Sequence, residues 1–316
     1  MTLSRFIRRL PHPPITLEQV GGRSFTHLFE QSHLDAINTA LACNRPLLLT
    51  GEPGVGKTQL ARAAAKALGR AYVRCTVDAK TESRDLLWQF DAVARLADAQ
   101  LASVCDWDAS TCEKKLAPAN YLIPGPLWWG LNWGSAEKRP KAVAPPQLDG
   151  GNHEQGVVVL IDEIDKAEID VPNGLLEVLG DGSFQPEGLD NPVRADGIAP
   201  FIVITSNRER GLPDAFVRRC VVMRMALPKD DTELRKRLVE RGQAHSKLSP
   251  EVLGQAADLL IKDRKASTKL PRPGQAEYLD LLRAVEEQLT VTASGPSAEE
   301  LLNRIEPYLL RKTEAV

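Results

Sequence analysis

The run Gly51-Glu52-Pro53-Gly54-Val55-Gly56-Lys57-Thr58 has the spacing G-x-x-x-x-G-K-[ST], and the chemistry served by that spacing is phosphate binding. Its glycines let backbone N–H groups converge on phosphate oxygens. The Lys57 amine can reach the β- and γ-phosphates, and the Thr58 hydroxyl can coordinate Mg²⁺. Gln59 completes the expected nucleotide-binding segment. The bland alternative is a glycine turn beside an exposed lysine, and the flanking residues argue against it. Pro46–Thr50 (PLLLT) is a continuous apolar run, as in a strand buried on both faces. Lys57–Leu68 (KTQLARAAAKAL) is rich in helix formers and ends at Gly69, a natural terminator.

A second chemical group stands where Val157-Val158-Val159-Leu160-Ile161 runs out into Asp162-Glu163. In open parallel sheets ligands lie at the carboxyl ends of strands. Asp162 is suited to hold Mg²⁺, directly or through water, and Glu163 to orient and activate an attacking water. Asp165 and Glu168 continue the negative run, so a solvated acidic turn is the alternative. The upstream phosphate loop favours function. Glu163 also bears on reaction class, because a small-molecule kinase has no need of a water activator beside the metal carboxylate. Phe201–Ile204 ends in Thr205-Ser206-Asn207, where Asn207 could face the γ-phosphate or the water, although Ser-Asn is also a common turn. Leu212–Cys220 brings Arg218 and Arg219 to the start of another strand. An arginine projected into a neighbour's site stabilises the transferring phosphoryl group by roughly 10³–10⁵ in rate. The alternative is a salt-bridged surface pair. Arg272, in Lys269–Gly274 at the entry to a helix, could reach nucleotide from a lid or be an ordinary loop arginine.

The elements that must position these groups follow from periodicity. A helix is expected over 32–43, a strand over 71–77 and a helical stretch over 86–101. A Pro- and Trp-rich segment, 118–133, and a polar surface loop, 135–155, precede the strongest strand, 156–161. A short helix over 172–179 and strands over 201–204 and 221–225 complete this region. Alternating strands and helices imply an α/β fold with a parallel sheet covered on both faces. From about Pro228 only helices are expected, over 232–241, 250–261, 275–289 and 297–306. Ser249-Pro250 is an N-cap with proline behind it, and Ser297 with Glu300 makes a capping box. The expected organisation is an N-terminal arm (1–27), an α/β nucleotide-binding core (28–227) and a C-terminal helical lid (228–316). Trp128, Trp129 and Trp133 have two readings, core packing with Trp129 and Trp133 on one helical face or a partner-gripping loop.

Composition bounds the rest. The 316 residues are 43% apolar and 26% charged, enough for a sizeable core. Forty Lys and Arg against 42 Asp and Glu, a net charge of −2, argue against a dedicated nucleic-acid binder. Five cysteines without C-x-x-C spacing fit reduced thiols rather than zinc or disulfides. The longest uncharged run, 116–136, holds three prolines and three glycines, so no membrane span is expected. The first ten residues mimic a short basic amphipathic helix, with Leu3, Phe6, Ile7 and Leu10 among Arg5, Arg8 and Arg9. They lack the apolar core of a secretory signal, so a soluble, cytoplasmic chain is expected.

GEPGVGKT, VVLIDEIDKA, ITSN and LPDAFVRRC, in this order before a helical region, resemble an AAA+ ATPase. Pro124-Gly125-Pro126-Leu127, Asn173-Gly174-Leu175-Leu176-Glu177-Val178-Leu179 and the stretch 181–200 look more specifically like the MoxR branch. The resemblance implies a P-loop NTPase core with a five-stranded parallel sheet between helices, a helical lid, ATP and Mg²⁺ as cofactors, and a ring, usually a hexamer. By resemblance Asn207 is the sensor-1 residue, Arg219 the arginine finger with Arg218 beside it, and Arg272 the sensor-2 arginine. It implies remodelling or activation of a protein partner, for which a von Willebrand A-domain protein is one candidate. Three rivals stand beside it: a nucleic-acid-coupled NTPase such as the motor of a defence nuclease, a nucleotide-gated scaffold, and a small-molecule phosphotransferase.

Overall fold

The computed structural model describes residues 6–11, 14–18, 24–267, 272–291 and 295–310. Lys269, Leu270 and Pro271, named above beside Arg272, lie outside them, as do Leu3 and Arg5. Strands β1 (Ile15–Glu18) and β2 (Ser24–His27) pair antiparallel. Helix α1 (Gln31–Cys43), β3 (Leu47–Thr50), α2 (Lys57–Leu68) and β4 (Arg70–Thr76) follow. An insertion then carries β5 (Trp88–Phe90), α3 (Ala92–Val104), α4 (Ala109–Lys115) and β6 (Leu122–Pro124), with β5 and β6 antiparallel. Next come α5 (Pro126–Leu131), α6 (Trp133–Glu137), β7 (Asn152–Asp162) and α7 (Asp170–Asp181). A hairpin of two-residue strands, β8 (Ser183–Phe184) and β9 (Val193–Arg194), leads to β10 (Phe201–Ser206), α8 (Asp214–Arg219) and β11 (Val221–Arg224). Helices α9 (Asp231–His245), α10 (Pro250–Ala266), α11 (Gln275–Val291) and α12 (Ala298–Leu309) end the described chain. None of the described helices is long and apolar enough to cross a membrane.

The chain divides into two compact units. A sheet unit holds Glu30–Leu49 and Ala61–Met223 with residues 6–10, and a helical unit holds Thr50–Leu60 and the chain from Arg224, with the described part of 11–29.

In the sheet unit the five parallel strands run in the order β11-β3-β10-β7-β4. All six residues of β10 are buried, as are Val157–Asp162 of β7, which is the pattern of strands covered on both faces. Helix α5 seats closely on β7, since a Cβ on Gly130 would lie 2.6 Å from Val159 Cγ2. Strand β4 is a sheet edge, and the Gln147 side chain covers part of it. Its Oε1 accepts the Tyr72 N–H and its Nε2 donates to the Tyr72 carbonyl, as a neighbouring strand would.

Several expectations change in detail. Residues 6–10 form no helix; the Asn38 side chain binds both backbone groups of Ile7, which is buried. The helix expected over 86–101 begins only at Ala92, because Trp88–Phe90 pair with β6 and the Asp91 carboxylate then caps Ala94 N–H. Strand β7 starts inside the expected 135–155 loop. Its pairing with β4 jumps from Asn152 to Val157, and Gly156 at φ +96 absorbs the bulge. Trp129 and Trp133 do not share a helix, because Asn132 breaks it and caps Ser135 N–H, yet their rings meet at 4.8 Å. Trp128 and Trp129 are core residues, and half-buried Trp133 stacks on His153.

In the helical unit α9–α12 close around Leu238, Leu253, Leu260, Tyr278, Leu282 and Leu302. The caps read from sequence are in place. Ser249 Oγ accepts Val252 N–H, and Ser297 and Glu300 cap each other's backbone.

Candidate functional site

The phosphate loop belongs to the helical unit, and β3 runs directly into it at Thr50. Gly51 has no room for a side chain, since a Cβ there would lie 2.0 Å from the Met225 carbonyl oxygen. Gly54 and Gly56 take the left-handed φ values +76 and +97 that turn the loop's backbone inward. Buried Lys57 donates from Nζ to the Gly51 and Glu52 carbonyls at 2.7 and 2.9 Å, so its amine already lies along the loop. Lys57 and Thr58 open α2, with Gln59 following. The loop abuts the start of α11: a Cβ on Gly54 would lie 3.2 Å from Ala276 Cβ, and one on Gly274 3.5 Å from the Pro53 carbonyl. Exposed Arg272 stands two residues before Gly274. Arg264 of α10, which sequence reasoning missed, pairs with the Glu52 carboxylate at 3.0 Å and donates to the Pro273 carbonyl.

Beside the loop, still within the helical unit, a cavity of about 50 Å³ is lined by Thr26, Val55, Gly56, Gln59, His245 and Gln275, among others. Gln59 Oε1 and Gln275 Oε1 are buried, and neither accepts a hydrogen bond among the described residues. Buried acceptors without donors are uncommon.

The acidic pair belongs to the sheet unit. Asp162, 4% exposed, ends β7 and accepts hydrogen bonds at both oxygens. Thr205 Oγ1 donates to Oδ1 at 2.6 Å, and Arg74 Nη2 donates to Oδ2 at 2.8 Å. Glu163 turns the chain in the left-handed region (φ +64, ψ +45), and its N–H donates to Thr205 Oγ1. Its carboxylate is held from two sides, by Asn207 Nδ2 on Oε1 at 3.3 Å and by Lys166 Nζ on Oε2 at 2.5 Å. That carboxylate holds the Lys166 amine above its ordinary pKa. Buried Asp165 fixes the opposing loop by accepting the N–H groups of Asn207 and Glu209. Strand β10, which ends just before Asn207, lies between β3 and β7. The sheet unit therefore brings Asp162, Glu163 and Asn207 together.

Arg218 and Arg219 end α8, which buried Phe216 anchors. Both are exposed, and neither forms a salt bridge or hydrogen bond among the described residues. Next to them burial pushes the Cys220 thiol up to about 11, so it is not a reactive thiolate. The cation Arg74 was legible only as a charge in an otherwise apolar strand. Lys166, Asp165 and Thr205 were visible in the motifs without their roles.

No group of three or more His, Cys, Asp or Glu among the described residues is arranged to hold a metal by itself. Asp162 in the sheet unit and Thr58 in the helical unit each offer an oxygen donor, the donor chemistry that magnesium favours.

A family model described as AAA domain (dynein-related subfamily) matches residues 46–241. No curated protein matches the chain. A solved structure of a RuvB point mutant from Thermotoga maritima is similar at 17% identity, over 87% of this chain and 68% of that one, with a TM-score of 0.47.

Proposed function

The chain belongs to the AAA domain family, dynein-related subfamily, and from that premise we propose a Mg²⁺-dependent ATPase of the MoxR-like type that remodels or activates a partner protein. The observation that carries hydrolysis, rather than nucleotide binding alone, is the contact of Glu163 with Asn207 beside a buried Asp162. A carboxylate free of the metal role and steered by an amide is what a water activator requires.

In this reading the loop amides and Lys57 bind the β- and γ-phosphates. Thr58 and Asp162 would hold magnesium, which when bound would neutralise charge on the phosphates. Glu163 orients a water and takes its proton as the water oxygen bonds to the γ-phosphorus and the bond to the β–γ bridging oxygen breaks. Asn207 keeps Glu163 and the water aligned. Arg272 faces the phosphates from the helical unit, and Arg219, with Arg218 beside it, serves the site of the next copy in a ring. Gln59 Oε1 and Gln275 Oε1 would accept N–H groups of the nucleotide if it reaches the cavity they line.

The Glu163→Gln variant tests this reading. It is expected to bind ATP like the parent and to lose turnover by about 10²–10⁴-fold, the usual worth of a general base. Unchanged turnover would remove Glu163 from the mechanism, and lost ATP binding would show that it serves the ligand instead. Held in its ATP state, the same variant is the reagent for capturing the partner.

A further inference from the structure

The Asp162 carboxylate is almost fully buried, and a buried carboxylate needs a compensating positive charge. Two of its hydrogen-bond donors differ in kind. Thr205 Oγ1, on Oδ1, is neutral, and Thr205 is itself 1% exposed, fixed in β10 and further tied by the Glu163 N–H. Arg74 Nη2, on Oδ2, is the cation, and its side chain is 48% exposed. Arg74 comes from β4, whose neighbour β7 carries Asp162 at its end, with Arg74 opposite Leu160 and Thr76 opposite Asp162. The carboxylate is thus held at one oxygen by a fixed group. At the other it is neutralised by a long, half-exposed side chain that water can receive at small cost.

Arg74 therefore lies on Oδ2, an oxygen a divalent cation can also use, and the guanidinium charge disfavours a second cation there. We propose that Arg74 is the resident counter-ion of Asp162 and gives up Oδ2 when magnesium arrives with nucleotide, so that Arg74 sets how much magnesium the site requires. The inference rests on the ATPase reading and adds to it a residue outside the phosphate loop and the acidic motif. Arg74 acts through Asp162 and is a positioning residue. The exchange involves no covalent step: the guanidinium charge moves to solvent as the divalent charge enters, and Asp162 stays neutralised in both states. Lys166 on Glu163 follows the same logic, so each working carboxylate is covered by a cation of the chain itself.

The test uses Mn²⁺ as the probe. Its affinity for the full-length protein saturated with a non-hydrolysable ATP analogue is read by electron paramagnetic resonance, for the parent, Arg74→Gln and Arg74→Lys. Arg74→Gln is expected to bind Mn²⁺ up to about five-fold tighter, the upper end for removing a competing partly exposed ion pair. Arg74→Lys, which keeps the charge, is expected to stay nearer the parent, and metal-free affinity for the analogue should not change. Equal or weaker Mn²⁺ binding by Arg74→Gln would overturn the proposal and leave Arg74 as a pin for Asp162. A parent that binds neither analogue nor Mn²⁺ would instead overturn the ATPase reading beneath it. Should Arg74→Gln fail to fold, the parent decides through the ¹⁵Nε resonance of Arg74. That resonance is expected to leave its ion-paired position on addition of analogue with Mg²⁺, and its staying there would equally overturn the exchange.

Discussion

Glu163 is the residue on which the chemistry turns, and its backbone shows how the chain serves it. A non-glycine residue in the left-handed region costs about 1–3 kcal/mol, and it persists where neighbours over-determine it. Here they do, since Thr205 Oγ1 takes the Glu163 N–H and the Glu163 carbonyl accepts the Lys166 N–H. The turn swings the carboxylate off the strand direction onto Asn207, which Asp165 fixes by its backbone. Lys166 on the other oxygen is a different matter. Both partners of that ion pair are about one-third or more exposed, so water screens it and it holds the carboxylate only weakly. If the pair must open before Glu163 addresses water, Lys166→Met should raise basal turnover by up to about five-fold, with KM for ATP unchanged. A fall in kcat at constant KM would show instead that Lys166 holds Glu163 in its working direction.

Among the elements, those with strong local signals were legible and those made by pairing were not. The phosphate loop, β7, β10 and the capped starts of α10 and α12 each announce themselves by glycines, an apolar run or Ser-Pro and Ser-x-x-Glu. Strands β1 and β2 do not. Ile15–Glu18 and Ser24–His27 are short, the Gly21-Gly22 between them is a weak signal by itself, and they are held by contacts to each other and to a distant helix. One of these is Thr26 N–H to His245 Nε2 on α9 at 3.3 Å. Because Nε2 accepts, Nδ1 carries the proton and donates to the Arg241 carbonyl at 2.8 Å, so His245 works as a neutral imidazole. Burial chiefly, with the charges of Arg241 and Arg283, holds its pKa below the ordinary 6.5. A histidine depressed in the folded state binds protons less readily than in the unfolded one. Its stabilising effect is therefore intact above pH 6.5 and is lost as pH falls below that value. His245→Gln supplies the same acceptor and donor without titrating. The parent is expected to lose melting temperature faster than this variant below pH 6.5, and parallel curves would show that the latch does not depend on the imidazole.

For the whole molecule, the alternation of strands and helices up to β11, followed by helices alone, was enough to place the chain in its fold class. Strand order was not legible, because it is set by which strands pair across the sheet rather than by any one segment. A matching reason governs Arg218 and Arg219. Both end α8 exposed and without a partner among the described residues, so nothing among those residues employs them. In the proposed ring such a cation on an anchored helix would work on the next copy, and hydrolysis would depend on the assembly. Arg219→Ala and Glu163→Gln should then each be inactive alone while still binding ATP. Mixed in equal amounts they should recover about a quarter of parent activity, because a site needs a glutamate-bearing chain followed by an arginine-bearing one in the ring. Recovery should fall on dilution as rings dissociate. If Arg218→Ala complements and Arg219→Ala is itself active, the finger is Arg218. If neither arginine variant gains from mixing and loss of both leaves turnover per chain intact, each copy hydrolyses alone and the assembly plays no part in the chemistry.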